Sequence, residues 1–144
     1  MLTQPKFSVV LIAKNEAKTL PRLIKSLANF TARGGEIVLL DTGSTDGTAD
    51  LARVSGCRVK EVGDKFRHTI SGPDAKNINR NFCYDNDPPV VKQGDAYFDF
   101  ASARNEASSL AKNDIVCFAD ADEEFTVLDI DVINNLIDEG FQQF

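Results

Sequence analysis

The chain has 144 residues and a formal net charge of −6, and 42% of its residues are hydrophobic. That length and apolar content suit one domain with an apolar core, whereas the negative charge argues against a general nucleic-acid binder, which needs a basic face. The three cysteines form no close pair, so we expect a reducing, cytoplasmic compartment and no zinc site.

Strand and helix patterns alternate through the first 62 residues. The apolar run from Phe7 to Ala13 predicts a strand covered on both faces, and it is too short to span a membrane. Helical spacing of leucine and isoleucine then predicts a helix from Glu16 to Asn29, with Pro21 tolerated in its first turn. Next come a strand from Glu36 to Leu40, a helix from Ala49 to Ser55 and a strand from Cys57 to Val62. This order favours a parallel sheet with right-handed crossovers.

The second half begins with a segment that has no persistent period. Residues 63 to about 95 contain Gly-Pro and Pro-Pro breaks, and they predict an irregular insert of the kind that is often functional or mobile. Beyond it the pattern predicts a helix from Phe100 to Lys112 and a strand from Asp114 to Ala119. A last helix, capped by Asp129 or Asp131, ends near Gly140.

Two aspartates directly follow the last predicted strand. Asp120 and Asp122 are spaced i, i+2, and such a carboxylate pair suits Mg²⁺ whose shell is completed by phosphates and water. An acidic cluster can equally be a solvated turn or a helix N-terminus. An EF-hand is excluded, because Phe125 and Asp131 occupy its glycine and glutamate positions. Glu124 likewise replaces the Thr or Val of an aspartyl-phosphate phosphatase.

Polar groups also follow the first two strands, at Lys14–Glu16 and at Asp41. The carboxyl ends of parallel strands share one edge of a sheet, so these groups and the aspartate pair are expected to converge there. The loop from Asp41 to Thr48 is neither a Walker A motif nor a dinucleotide fingerprint, since its glycines lack both spacings. Within it, Asp46 is the expected N-cap of the following helix.

Three sequence blocks carry a family resemblance. They are SVVLIAKNE at 8–16 with LPRL at 20–23, DTGSTDGT at 41–48, and FDFASARN at 98–105 followed by FADADE at 118–123. In order and spacing they resemble glycosyltransferase family 2. The resemblance implies an α/β fold of the GT-A type, in which a Rossmann-like, mostly parallel sheet is flanked by helices. It also implies a hexosyltransferase-type enzyme with a nucleotide-diphosphate sugar donor, with a UDP-sugar as the expected donor.

The resemblance assigns a nucleoside pocket to the first two blocks. Ala13, Asn15 and Glu16 would line it, and Asp41 would contact the base, commonly through uracil N3–H.

The third block would hold the diphosphate. Asp120 would lie near the ribose and the metal, and Asp122 would ligate Mn²⁺ or Mg²⁺, so that this pair is the family's DXD motif. Arg104 is a candidate second cation toward the diphosphate, although a surface ion pair is an equal alternative.

Catalytic domains of this family usually continue well past the acidic block, into a half that supplies acceptor contacts and a carboxylate base. We therefore expect a donor-binding part truncated after the Asp-x-Asp strand, with Glu123 and Glu124 as the weak candidates for a base. The acceptor class (sugar, lipid or protein) stays open. A non-catalytic nucleotide-sugar-binding module is the alternative, and a sugar-1-phosphate nucleotidyltransferase fits less well, because no glycine follows the first strand within Lys14–Glu16.

Overall fold

Strands and helices alternate along residues 2–141, the part of the chain that the computed structural model describes. The strands are β1 (Phe7–Ala13), β2 (Glu36–Asp41), β3 (Arg58–Glu61), β4 (Arg67–Thr69), β5 (Ala96–Phe98) and β6 (Ile115–Phe118). The helices are α1 (Leu20–Ser26), α2 (Ala28–Ala32), α3 (Thr48–Val54), α4 (Gly72–Phe82), α5 (Phe100–Ser109) and α6 (Ile130–Asp138). Four strands form a parallel sheet in the order β3-β2-β1-β6, and β4 pairs with β5 in a separate antiparallel ribbon. The predicted α/β class with a mostly parallel sheet is confirmed.

The sheet is buried on both faces, in agreement with the mainly apolar sequences of β1 and β2. One face packs against helices α1, α2, α3 and α6, and its core includes Leu23, Phe30 and Ile130. The other face packs against α5 through Ala103 and Ala107. This three-layer arrangement leaves the carboxyl edge of the sheet as the place where loops meet.

Strand register brings three chain segments to that edge. Ala13 at the end of β1 lies opposite Asp41 at the end of β2. On the other side of β1, Phe118 lies opposite Val10, and the amide of Ala119 still donates to the Val10 carbonyl at 3.1 Å. The predicted convergence of the strand ends on one edge therefore follows directly from the pairing.

The helix predicted over 16–29 differs in the structure. Residues 16–19 form a turn in which the amides of Thr19 and Leu20 both donate to the Glu16 carbonyl, and α1 starts only at Leu20. A break at Leu27 then separates α1 from α2. Pro21 does sit in the first turn of α1, as predicted. Among the helices of residues 2–141, none has the length and apolar character needed to cross a bilayer.

The segment predicted to be irregular, residues 63–95, is in part regular. It holds β4 and the 11-residue helix α4. The three-residue strand β4 pairs with a strand nearly 30 residues away, so no local sequence pattern predicts it. Helix α4 contains few apolar residues, and its N-terminal signal is instead the Ser71 hydroxyl, which accepts a hydrogen bond from the Asp74 amide at 3.2 Å.

The two edges of the main sheet differ in chemistry. Strand β3 presents Arg58, Lys60 and Glu61 at its edge, and charged side chains of this kind discourage further strand pairing. Strand β6 is apolar throughout, with Phe118 at its end 42% exposed. Within residues 2–141, no strand pairs with the outer edge of β6.

Cys57 is expected to react far more slowly with a thiol reagent than Cys83. It lies just before β3 rather than in it, is 8% exposed, and burial raises the pKa of its thiol to about 11. The thiolate is the form that reacts, and at pH 8 only roughly one Cys57 side chain in a thousand is deprotonated. Titration with Ellman's reagent should therefore show a fast phase that Cys83→Ser removes and Cys57→Ser leaves in place. Loss of the fast phase in Cys57→Ser would contradict the burial argument.

Candidate functional site

Three loops meet at the carboxyl edge of the sheet. The first loop (residues 14–17) follows β1, the second loop (residues 42–47) follows β2, and the acidic loop (residues 119–124) follows β6. Because neighbouring strands are about 5 Å apart, β2, which ends at Asp41, and β6, which precedes Asp120, are separated by roughly 10 Å, with β1 between them. That span suits a ligand with two polar ends.

Asp41 is the most unusual of the site residues. Its side chain is buried, with the residue 2% exposed, and Oδ1 accepts hydrogen bonds from the amides of Gly43 (3.0 Å) and Ser44 (2.9 Å). Its other oxygen, Oδ2, is also buried but accepts no hydrogen bond from any group within residues 2–141. Buried polar atoms nearly always have a partner, so Oδ2 is the atom of this site that a donor from water or from a ligand would satisfy.

Asn15 joins the first loop to the second. Its amide donates to Ser44 Oγ at 2.9 Å, and its side-chain Oδ1 accepts from the Thr45 amide at 2.7 Å. The backbone of Asn15 has φ = 58°, a left-handed conformation that is uncommon outside glycine. The predicted pocket residue Asn15 is thus held in a strained turn by two bonds to the second loop.

Ala13 and Glu16, the other residues of the first block that are predicted to line the nucleoside pocket, are close to Asn15 in the chain. The Ala13 carbonyl accepts from the Thr42 amide at 2.9 Å, so β1 and β2 stay in register to their last residues. The Glu16 carboxylate accepts from the Thr19 hydroxyl at 2.5 Å. The structure therefore places Ala13 opposite Asp41, and the Glu16 carboxylate is partly committed to its own turn.

The sequence predicts that Asp46 is the N-cap of α3, and this prediction is wrong. Gly47, with φ = 86°, occupies that position. Asp46 Oδ1 accepts from the Thr48 amide at 3.1 Å, while Oδ2 accepts from the Ala17 amide of the first loop at 3.0 Å. The pKa of Asp46 lies below its usual value, chiefly because the Thr48 hydroxyl donates to the carboxylate. The side chain is consequently a pure acceptor at neutral pH, and it bridges two loops.

The acidic loop presents two free carboxylates. Asp120 and Asp122 are exposed, and neither side chain forms a hydrogen bond or ion pair with other groups of residues 2–141. The Glu123 carboxylate accepts from the Asp120 amide at 2.9 Å and closes the loop on itself. Arg22 of α1 donates to the Asp122 carbonyl and pairs with Glu124 at 3.4 Å. No three Asp, Glu, His or Cys residues within residues 2–141 converge into a ready-made metal cluster.

Arg104 lies next to the acidic loop. Its guanidinium stacks over the Phe118 ring at 5.4 Å from the centroid. Both side chains line a small cavity of about 60 Å³ together with Ile12, Phe100, Ala119 and Asp120. A cation and a carboxylate therefore share one cavity at the end of β6.

Several residues of the site were not anticipated from the sequence. Thr48 is fully buried and bonds to the first loop, Arg22 holds the acidic loop, and Phe118 supports Arg104. The block matches contain Thr48, Arg22 and Phe118, but spacing alone does not reveal contacts between distant segments.

Comparison with known proteins gives a consistent result. Residues 8–62 match the sequence profile of Glycosyl transferase family 2. The chain is 31% identical over 122 residues to a 4,4'-diaponeurosporenoate glycosyltransferase of Staphylococcus haemolyticus, and this match covers 85% of the chain. The chain spans 25% of the length of that relative.

Two solved structures are similar in fold. The crystal structure of S. aureus TarS 1-349 has a TM-score of 0.57 and 23% identity, covering 92% of this chain and 32% of that one. Glucosyl-3-phosphoglycerate synthase from Mycobacterium tuberculosis, solved with Mn²⁺ and UDP-glucose, has a TM-score of 0.50 and 28% identity. That match covers 82% of this chain and 33% of the synthase. The sheet and its flanking helices are thus of the GT-A type.

Proposed function

From the Glycosyl transferase family 2 sequence carried by residues 8–62, we infer that the chain forms the donor-binding part of a glycosyltransferase that uses a UDP-sugar. In such a transfer the bond between the anomeric carbon and the phosphate oxygen breaks, and its electron pair leaves with UDP. The acceptor oxygen bonds to the sugar, and the acceptor proton passes to a base. The acceptor and the transferred sugar are left open, and a cytoplasmic setting stays a prediction.

The observation that carries the proposal is the orphaned Oδ2 of Asp41. A carboxyl oxygen buried without a donor is costly, so a ligand that supplies an N–H would stabilise this site. Uracil has such a donor at N3, whereas cytosine N3 is only an acceptor. The first loop beside Asp41 would form the other wall of the nucleoside pocket.

The donor set at the acidic loop fits a hard divalent cation. Asp120 and Asp122 supply carboxylate oxygens, and Mg²⁺ typically takes one or two carboxylates together with substrate phosphates and water. When bound, such a cation stabilises the negative charge that develops on the departing nucleoside diphosphate. The absence of a third protein ligand within residues 2–141 agrees with a site that phosphate oxygens complete.

Arg104 is proposed to add a second positive charge at the diphosphate. Stacking on Phe118 fixes its guanidinium beside Asp120 without neutralising it, since a ring face carries no net charge. No carboxylate of residues 2–141 forms an ion pair with Arg104, so its charge stays available for phosphate oxygens.

The base is proposed to come from outside the loops described above. Glu123 holds the Asp120 amide, and Glu124 pairs with Arg22, so both candidates are already engaged. This observation favours a second function class, donor binding without transfer, for the described residues alone. Release of free sugar from the donor distinguishes hydrolysis from pure binding.

The test of the nucleoside site is base preference. We expect the chain to bind UDP roughly ten- to hundredfold more tightly than CDP in titration calorimetry, because only uracil donates to Asp41 Oδ2. Asp41→Asn places an amide donor at that position, so it should remove this preference or reverse it toward CDP.

Asp50→Asn is the matched control, since the Asp50 side chain on α3 is 87% exposed and pairs with Arg53. The control should keep the wild-type preference. Equal affinity of the wild-type chain for UDP and CDP would disprove the uridine site.

A further inference from the structure

Four side chains of the first and second loops and the start of α3 tie the two loops together. Two of the bonds were described above: Ser44 Oγ accepts from the Asn15 amide, and Asn15 Oδ1 accepts from the Thr45 amide. Thr48 and Asp46 make the other two: Thr48 Oγ1 accepts from the Glu16 amide at 2.8 Å, and Asp46 Oδ2 accepts from the Ala17 amide at 3.0 Å. The two consecutive amides of the first loop are thereby held by the N-terminus of α3.

Thr48 is the centre of this connection. The residue is 0% exposed, and its hydroxyl both accepts from Glu16 and donates to Asp46 Oδ1 at 2.5 Å. A buried hydroxyl satisfied in both directions cannot rotate without losing a bond, so its position fixes its two partners relative to each other. Valine in its place would have nearly the same shape and neither bond.

The connection reaches Asp41 through short bonds. Ser44, whose amide holds Asp41 Oδ1, receives the Asn15 amide on its hydroxyl. Asn15 itself keeps a left-handed backbone, which persists only where surrounding contacts hold it. If the Glu16 and Ala17 amides were released, the Asn15 turn could relax and carry Ser44 with it. The direction in which Asp41 Oδ2 points would then no longer be fixed.

We propose that Thr48, acting with Asp46, is a positioning residue that sets the base preference of the nucleoside site by holding the first loop against the second. This inference rests on the proposed uridine site and deepens it. Thr48 does not touch the ligand. It acts by keeping the orphaned oxygen of Asp41 aimed at the position of uracil N3.

The experiment compares Thr48→Val with Thr48→Ser by calorimetry with UDP and CDP. Thr48→Val should lower the UDP-over-CDP preference by about three- to tenfold, the range that one hydrogen bond of ordinary net strength contributes. Thr48→Ser keeps the hydroxyl and should stay within about twofold of the wild-type preference. Asp46→Asn is a second test of the same connection. The side-chain NH₂ of the asparagine would face the Ala17 amide, so two donors would meet and that hydrogen bond would be lost. Because residue 46 is exposed, we expect the fold to survive.

The outcomes separate the two proposals. A folded Thr48→Val or Asp46→Asn protein that binds both nucleotides more weakly but with the wild-type preference would overturn the positioning role, because a merely structural defect affects both ligands alike. If the Thr48→Val protein fails to fold, the UDP-over-CDP preference of the Asp46→Asn protein alone tests the positioning role. A wild-type chain without base preference would overturn the uridine site and this inference together.

Discussion

Replacing Asp122 by alanine is expected to weaken Mn²⁺-dependent binding of a UDP-sugar by at least about tenfold while the fold survives, since even residues that only support metal ligands typically contribute 10- to 100-fold. The side chain of Asp122 is exposed and bonds to no other group of residues 2–141. The contact that Arg22 makes in this loop is to the Asp122 carbonyl, which alanine keeps. Titration calorimetry with and without EDTA measures the effect.

The control for this change is Asp138→Ala. It removes the same charge from the last turn of α6, where Asp138 pairs with Lys6 away from the acidic loop. The control should bind the donor like the wild-type chain and lose affinity in EDTA to the same extent. Wild-type binding that is indifferent to EDTA would remove the metal from the proposal, and an unfolded Asp122→Ala protein would assign Asp122 a structural role.

Replacing Leu39 by alanine is expected to lower the free energy of unfolding by about 2–5 kcal/mol, the usual cost of deleting a large core side chain. Leu39 is 0% exposed in β2, and it belongs to the core between the sheet and helices α1, α2, α3 and α6. A loss of this size is a large part of the roughly 5–15 kcal/mol that holds a typical domain together. Urea denaturation followed by circular dichroism measures it.

Val127→Ala is the matched control for the core substitution. Val127 is 82% exposed, so shortening it should change the free energy of unfolding by no more than about 0.5 kcal/mol. A Leu39→Ala protein as stable as this control would contradict the burial of β2 against helices α1, α2, α3 and α6.

The sequence predicted β1 and β2 well because both strands are mainly apolar runs. Residues Phe7–Ala13 were predicted with the bounds that the structure has, and the predicted strand over 36–40 falls one residue short of β2. Such runs can only be buried on both faces, so their pattern leaves little choice of structure. The strand ends then placed the candidate polar groups on one edge, where the structure has them.

The insert at 63–95 was beyond sequence reasoning for a physical reason. The ribbon of β4 and β5 depends on pairing over long sequence distance, and three-residue strands carry too few side chains for a period to emerge. The contacts between the loops of the site could not be predicted from the sequence for the same reason. Chemistry pointed to Asp41 and the aspartate pair, but the links made by Thr48 and Arg22 arise only when distant segments meet.

The open side of β6 has a consequence for how this polypeptide behaves when it is concentrated. The N–H and C=O groups along that edge can accept an added strand through main-chain hydrogen bonds, and the four apolar side chains of β6 place no charge in the way. We therefore expect any self-association of purified protein to involve the β6 edge rather than the β3 edge, where the charges of Arg58, Lys60 and Glu61 disfavour strand pairing. A lysine introduced into β6 is the substitution that would give both sides the same resistance to aggregation.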